Sequence, residues 1–198
     1  CAFSVIAETG TTTVNGNTVY DEPFDLDFSD GLKTWLGIGS SSNPKFVAEN
    51  GVLKVGSGFN TAWDEIGPAR FKVPNVQVGD TIKFSFDLAI NTDLGDQTLI
   101  DRVNSGERIL WPLFRQYNAA GTKTDEQQLD VNKNHAGIVA SKAFTVADPD
   151  EFYRIIIRSA NSLKDAWRIS NITVTVTHTD GTVETYPGID VNYSDFEK

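Results

Sequence analysis

Alternating hydrophobic and polar positions dominate the middle and later parts of the chain. In Ile82–Ile90, which reads IKFSFDLAI, every second residue is apolar, and Phe152–Ser159 and Ile169–His178 show the same period of two. Such a period is typical of a strand with one buried face. Shorter β-favouring runs, most of them bounded by Gly, Pro, Asn or Asp, lie at Lys45–Val47, Val52–Val55, Ala69–Val73, Ile109–Tyr117 and Ile138–Val146. No convincing long amphipathic helix accompanies them, so we predict an all-β fold, a two-sheet antiparallel β-sandwich of the jelly-roll type.

The two ends of the chain differ from this pattern. Thr11–Tyr20 places Asn-Gly between two β-favouring runs, which is the strongest short signal for a β-hairpin. We therefore expect an N-terminal strand and hairpin extension over residues 1–23, a jelly-roll domain over 24–180 and an acidic C-terminal extension over 181–198. Two connections, Asn91–Arg108 and Asn118–Ala136, exceed ordinary loop lengths and are expected to be functional or to contain small extra elements.

Composition limits the classes of partner. The chain has 198 residues with 39% hydrophobic and 11% aromatic residues, enough for a packed core, and its formal net charge is −10. An acidic surface repels phosphate backbones, so we expect no nucleic-acid partner. No apolar run approaches the length of a membrane span, so no transmembrane segment is expected.

The first residue is the one cysteine in the chain, and the sequence contains no methionine. Cleavage of a bacterial lipoprotein leaves a cysteine at the new N-terminus, so a lipid anchor on Cys1 is one expectation. A cloning boundary or an unrelated cleavage site is the other. A single thiol excludes a disulfide framework.

A series of motifs resembles a known family. The motifs are Phe24–Trp35 (FDLDFSDGLKTW), Gly51–Val55 (GVLKV), Val78–Phe86 (VGDTIKFSF) and Asp165–Val174 (DAWRISNITV), with Trp63 between the second and the third. Their order is similar to that of carbohydrate-binding modules of the family 4, 9 and 22 jelly-roll type, over roughly Phe24 to Val176. The chain departs from that pattern at Ser29 and at Ser170-Asn171, where the modules have acidic residues.

The resemblance implies a structural Ca²⁺ between the first and last strands. The oxygen ligands that this chain offers for it are Asp27, Asp30, Asn50 and Asp165. An equally weighted interpretation is that these are ordinary polar residues of turns and strand ends.

Candidate catalytic groups do not form a recognisable set. His135 and His178 are not spaced as a metal-binding pair, and there is no Gly-x-Ser-x-Gly motif and no Gly-rich phosphate loop. We therefore predict that the protein is not an enzyme.

Aromatic residues suggest a sugar-binding surface instead, because sugars stack on exposed rings and neighbouring polar groups fix their hydroxyls. Trp63 lies in a polar stretch and is the best platform. Trp111 and Tyr117 share a face of one predicted strand with Arg115. We expect them to form a groove with Asp87, Arg154 and Arg158, where arginines would suit acidic sugars. The alternative is that Trp111 belongs to the core.

Assembly is the rival function. Phe3, Val5 and Ile6 make the start of the chain apolar and strand-like, and a detached strand can complete a neighbouring copy's sheet. We predict an extracellular or cell-surface structural or adhesive subunit that pairs with other copies of itself. The alternative is a glycan-binding module that recognises a polysaccharide.

Overall fold

The chain forms two β-sheets that pack face to face. The computed structural model describes the backbone of residues 11–14, 17–23, 35–38, 46–49, 52–55, 65–68, 70–161, 163–186 and 190–192, and the side chains of residues 70–161, 163 and 165–186. Within these residues each sheet contains eight strand segments. The predicted two-sheet β-sandwich is confirmed.

The first sheet has β13 near its centre. Its strands are β1 (Thr11–Val14), β2 (Asn17–Pro23), β3 (Trp35–Ile38), β6 (Glu65–Pro68), β7 (Arg70–Lys72), β9 (Leu113–Tyr117), β10 (Lys123–Gln128) and β13 (Phe152–Arg158). On one side β13 pairs with β9, which pairs with β10 at the edge. On the other side β13 pairs with β6 and β7, which continue to β3 and to the β1–β2 hairpin.

The second sheet is built around β8. Its strands are β4 (Phe46–Glu49), β5 (Val52–Val55), β8 (Thr81–Ile90), β11 (Gly137–Ala140), β12 (Phe144–Thr145), β14 (Trp167–Thr177), β15 (Val183–Tyr186) and β16 (Asp190–Asn192). β11 and β12 pair with one edge of β8 and β14 with the other. β15 and β16 both pair with β14. β16 also pairs with β5, which in turn pairs with β4.

Strand β8 contributes Phe84, which lies at the centre of the core. Ile82, Phe84, Phe86 and Leu88 are buried, as their period of two predicts. The ring of Phe84 stacks on Phe114 of the first sheet at a centroid distance of 5.6 Å. Because one ring contacts both layers, the apolar face of β8 fixes how the sheets pack.

A β-bulge interrupts the alternation of β14. The register with β8 shifts between Ser170 and Thr173, and Asn171 has φ of 52°. The bulge exposes Ser170 and Asn171 together and still buries both Ile169 and Ile172. A strict alternation would have turned one of the two isoleucines outward.

Both ends of the chain supply strands to the sheets. The predicted hairpin is confirmed, since Thr11–Val14 pairs antiparallel with Asn17–Tyr20. β2 then pairs in parallel with β7, and β16 pairs in parallel with β5, so two of the pairings are parallel in a sandwich that is otherwise antiparallel. β15 and β16 lie in the region predicted as a C-terminal extension.

The two long connections contain small extra elements. Gln97–Asn104 forms helix α1, capped by the Asp96 side chain, which accepts a hydrogen bond from the amide of Thr98. The second connection contains β10 and the 3₁₀ helix Lys133–His135. Within the described residues, no helix combines the length and the apolar character needed to cross a bilayer.

Candidate functional site

The outward face of the first sheet carries a row of arginines. Cross-strand pairing places Glu126 of β10 beside Arg115 of β9, and Arg115 opposite Arg154 of β13. Tyr153 pairs with Phe71, and the same register sets Arg154 opposite Arg70 of β7. We call Arg115, Arg154 and Arg70 the arginine row. It runs across three strands and ends at one carboxylate.

Tyr117 holds the row together. The guanidinium carbon of Arg70 lies 3.7 Å from the centroid of the Tyr117 ring. The Tyr117 side chain also interacts electrostatically with Arg115 and Arg154. Tyr117 is 2% exposed, Arg70 7% and Arg154 8%. Three cationic side chains thus converge on one buried aromatic residue.

Glu126 neutralises one end of the row. Its Oε2 lies 2.5 Å from Nε of Arg115 and 3.2 Å from Nζ of Lys123, and Gln128 donates a hydrogen bond to its Oε1. Burial would raise the pKa of Glu126, but these three hydrogen bonds outweigh it and hold the pKa at about 2. Glu126 is therefore ionised at every ordinary pH.

The inner part of the row is electrostatically costly. Burial lowers the pKa of Arg154; its interaction with Tyr117 opposes the change, and the charges of Arg70 and Arg115 add to it. Arg70 donates from Nη1 to the carbonyl oxygen of Gly121 at 2.7 Å, while its Nε is buried without a hydrogen-bond partner among the described residues. A buried donor without an acceptor costs free energy.

Trp111 lies just before β9 and is half-buried. The guanidinium carbons of Arg108 and Arg158 lie 4.6 and 4.7 Å from its ring centroid, and Arg108 also pairs with Asp130. Two guanidinium groups this close leave little of the ring for a sugar to stack on.

The structure brings together only some of the predicted sugar-binding residues. Arg115 and Tyr117 lie on one face beside Arg154, as expected from their alternation. Asp87 lies in β8 of the other sheet, opposite Ile138 and Ser170, and does not join them. Trp63 lies outside the described residues.

Most predicted calcium ligands and all three assembly residues also lie outside the described residues: Asp27, Asp30, Asn50, Phe3, Val5 and Ile6. Asp165 lies in the 3₁₀ helix Lys164–Ala166, where its carbonyl oxygen accepts hydrogen bonds from Asn91 and Arg168. Among the described side chains no three His, Cys, Asp or Glu residues are grouped as metal ligands. The calcium site stays a prediction, and an unchanged unfolding temperature on adding Ca²⁺ or a chelator would contradict it.

Arg70 is a residue of this cluster that sequence reasoning misses. The sequence of its strand does indicate which face it lies on. Arg70 and Lys72 alternate with the core residues Phe71 and Val73, so they lie on the face of the sheet that points away from the core. The neighbours of Arg70 on that face depend on the pairing of β7 with β13, which no local pattern records.

The edge of the second sheet at β11 is a separate feature. The Ser141 amide donates to the carbonyl of Phe84 at 2.7 Å, so by alternation the backbone groups of Ile138 and Ala140 point away from β8. The Ile138 side chain is 79% exposed. A groove of about 390 Å³ follows this edge and is lined by Leu129, Val131, His135, Ile138 and Ala140, among others.

An ion pair connects the residue just before β8, Asp80, with the residue just after β14, His178. Nδ1 of His178 lies 2.8 Å from Oδ2 of Asp80, and Nε2 lies 3.6 Å from Oε1 of Glu184. The hydrogen bond to Asp80 is the main cause that raises the pKa of His178. Burial would raise the pKa of Asp80, but hydrogen bonds from Gln77, His178 and Thr179 lower it.

No family model matches the chain, and no curated protein matches it either. The resemblance to carbohydrate-binding modules thus stays a prediction, and the function must be argued from the geometry.

Proposed function

We propose that the protein is a non-catalytic structural or adhesive subunit of an extracellular assembly, in which the N-terminal strand of one copy pairs with an edge strand of the next. The open edge at β11 carries this proposal. A sheet edge with unpaired backbone groups is the natural acceptor for an added strand.

Comparison of two edges supports β11 as the acceptor. The edge strand β10 has the sequence KTDEQQ, and its Lys123 and Glu126 form an ion pair. Charged side chains of this kind protect an edge from pairing. β11 has the sequence GIVA and no charge. Its end is closed at Lys142, whose outward amide donates to the Gln127 side chain. No described residue forms a hydrogen bond with the outward backbone groups of Ile138 and Ala140, which can therefore accept a partner strand.

The N-terminal segment Cys1–Glu8 has the properties of a donor. Phe3 and Val5 alternate with Ser4, so one face of an extended segment would be apolar. The segment carries no charged side chain before Glu8, so it can approach an acidic body without repulsion. Its apolar face would cover Ile138 while its backbone groups pair with β11.

The test is the mass of the full chain by sedimentation velocity over a range of concentrations. We expect self-association that Ile138→Glu abolishes, because a charge at the edge opposes strand pairing. Deletion of Cys1–Glu8 should abolish it as well. The matched control is Val183→Glu, which changes an apolar residue that is 58% exposed on β15. A monomer at all concentrations, or self-association unchanged by Ile138→Glu, would contradict the proposal.

Glycan binding is the competing hypothesis, and it depends mainly on Trp63. The guanidinium groups around Trp111 make that residue a poor platform for a neutral sugar. Retardation in a polysaccharide gel that disappears in Trp63→Ala would favour a glycan-binding module. Retardation that survives this change would exclude Trp63 as its platform.

A further inference from the structure

The triplet Asn171-Ile172-Thr173 in β14 matches the acceptor motif for N-linked glycans, Asn-x-Ser/Thr with no proline in the middle. Acceptors usually lie in surface loops, and a central strand hides every second side chain in the core. The position of the triplet inside β14 therefore argues against its use. The structure removes this objection.

The bulge of β14 turns the acceptor residue away from the core. Counted by strict alternation from the buried Ile169, Asn171 would share the core face. The register with β8 shifts between Ser170 and Thr173, and Asn171 adopts the left-handed conformation with φ of 52°. Its side chain is exposed, while the neighbouring Ile172 is buried. Asn adopts this conformation more readily than most residues, so the residue that forms the bulge is also the Asn of the triplet.

The outer face of the second sheet is polar and open to solvent around Asn171. Asp87 of β8 lies opposite Ser170, and Ser85 lies opposite Thr173. Both β8 residues are partly exposed, and Ser170 is exposed like Asn171. A bulky hydrophilic group on Asn171 would therefore extend into solvent and would not displace core side chains.

We propose that Asn171 is a modification site that bears an N-linked glycan. The proposal rests on the extracellular location proposed above, because the transfer takes place during secretion. The amide nitrogen of Asn171 forms a bond to the anomeric carbon of a lipid-linked oligosaccharyl pyrophosphate. The bond between that carbon and the pyrophosphate oxygen breaks, the lipid pyrophosphate leaves, and the amide loses one proton.

The surroundings of Thr173 place the transfer before folding. Its hydroxyl donates to the Asn171 carbonyl oxygen at 2.9 Å and lies 3.1 Å from Oδ1 of the Asn171 side chain. Thr173 is 7% exposed in the folded protein. A transferase that recognises this hydroxyl has access to it only while β14 is unpaired.

A glycan at this position leaves the proposed assembly edge open. Ile138, Asp87 and Ser170 form one cross-strand row, so the glycan starts two strands from β11, at roughly 10 Å. It projects from the face of the sheet, whereas an added strand lies in the plane of the sheet.

The decisive measurement is the mass of the peptide that contains Asn171, in protein purified from its natural source. We expect this peptide to bear a glycan, and its release by peptide N-glycosidase should convert Asn171 to aspartate. A purely structural role for Asn171 predicts the unmodified peptide, and that result would overturn the proposal.

Two substitutions in the full chain, secreted from eukaryotic cells, test whether the triplet directs the modification. Asn171→Asp removes the amide nitrogen but keeps a side chain that tolerates the left-handed conformation. Thr173→Val removes the hydroxyl at similar size. Each should abolish the glycan at position 171, and a glycan retained in Thr173→Val would contradict the proposal. If Thr173→Val does not fold, loss of one glycan mass in Asn171→Asp decides the question.

The matched control is Asn192→Asp, which removes the other triplet of this kind, Asn192-Tyr193-Ser194, and should leave the Asn171 glycan in place. Sedimentation velocity separates this proposal from the assembly. Asn171→Asp should self-associate as the wild type does, because the β11 edge is unchanged. An unmodified chain that self-associates overturns the glycan alone, and a glycosylated monomer overturns the assembly alone.

Discussion

The two faces of strand β13 in the first sheet are both buried but are stabilised by different forces. β13 shows this within one strand, since every residue from Phe152 to Ile157 is buried. On its inner face Tyr153, Ile155 and Ile157 pack against the apolar face of the second sheet. On its outer face Arg154 lies between two further arginines. The inner face is stabilised mainly by apolar contact area, while the outer face needs correctly placed charges and hydrogen bonds.

Phe84→Ala should give the largest effect, because it removes the ring that joins the inner faces. Its neighbours Phe71, Phe114, Phe144 and Tyr153 lie 5.6 to 6.4 Å away between centroids. Truncation of a buried phenylalanine costs about 3–5 kcal/mol in the free energy of unfolding, measured by urea titration. Phe84→Leu is the control and should lose less than half of that. A loss below about 1 kcal/mol for Phe84→Ala would mean that the sheets do not depend on this ring.

Two matched tyrosine substitutions compare the faces directly. Tyr117→Phe on the outer face removes the hydroxyl that interacts with Arg115 and Arg154, and we expect a loss of about 1.5–3 kcal/mol because these two groups are charged. Tyr153→Phe on the inner face removes one acceptor for the neutral Gln116 amide, at 3.2 Å. Its cost should be about 0.5–1.5 kcal/mol. Equal losses in urea unfolding would contradict the distinction between the faces.

The inner faces could be predicted from the sequence more completely than the outer ones. β8 and β13 show their apolar period because a hydrophobic core selects for it. β10 was missed because an edge strand of polar residues has no apolar face to reveal it. The bulge of β14 was missed because the left-handed conformation of Asn171 is a single-residue event inside a β-favouring run.

The candidate site was less accessible to sequence reasoning, for a physical reason. Alternation alone assigns Arg115 and Tyr117 to one face of β9, and Arg154 to the face of β13 opposite its isoleucines. Arg70 joins them only through the pairing of Tyr153 with Phe71, and Asp87 is excluded only because β8 belongs to the other sheet. Such long-range register is set by how the whole core packs, so the local sequence does not specify it.

Acid should affect the outer face and leave the inner face unchanged. The pKa of Glu126 is depressed from 4.5 to about 2 in the folded protein. Its contribution to stability is therefore complete above pH 4.5 and is lost as the pH falls from there towards 2. Glu126→Gln should flatten the fall in unfolding temperature over this window. Asp130→Asn, at an exposed ion pair, is the control and should change the profile less. An unchanged acid profile in Glu126→Gln would show that Glu126 does not stabilise the arginine row.

His178 gives the smallest effect and tests a region outside both faces of the first sheet. Its pKa is raised, chiefly by the hydrogen bond to Asp80, so its contribution to stability is present below its ordinary value of 6.5 and is lost as the pH rises through the higher folded value. Asp80 has a lowered pKa and loses its own contribution only as the pH falls through a value below 3.8. Between these limits the pair should anchor the loop before β8 to the β14–β15 hairpin.

The measurement is the unfolding temperature of wild type and His178→Gln from pH 5 to 9, with His135→Gln as the control for loss of a histidine. We expect the wild type to lose stability above neutral pH and His178→Gln to lose this dependence. A nuclear magnetic resonance titration of His178 that gave a pKa below 6.5 would contradict the ion pair.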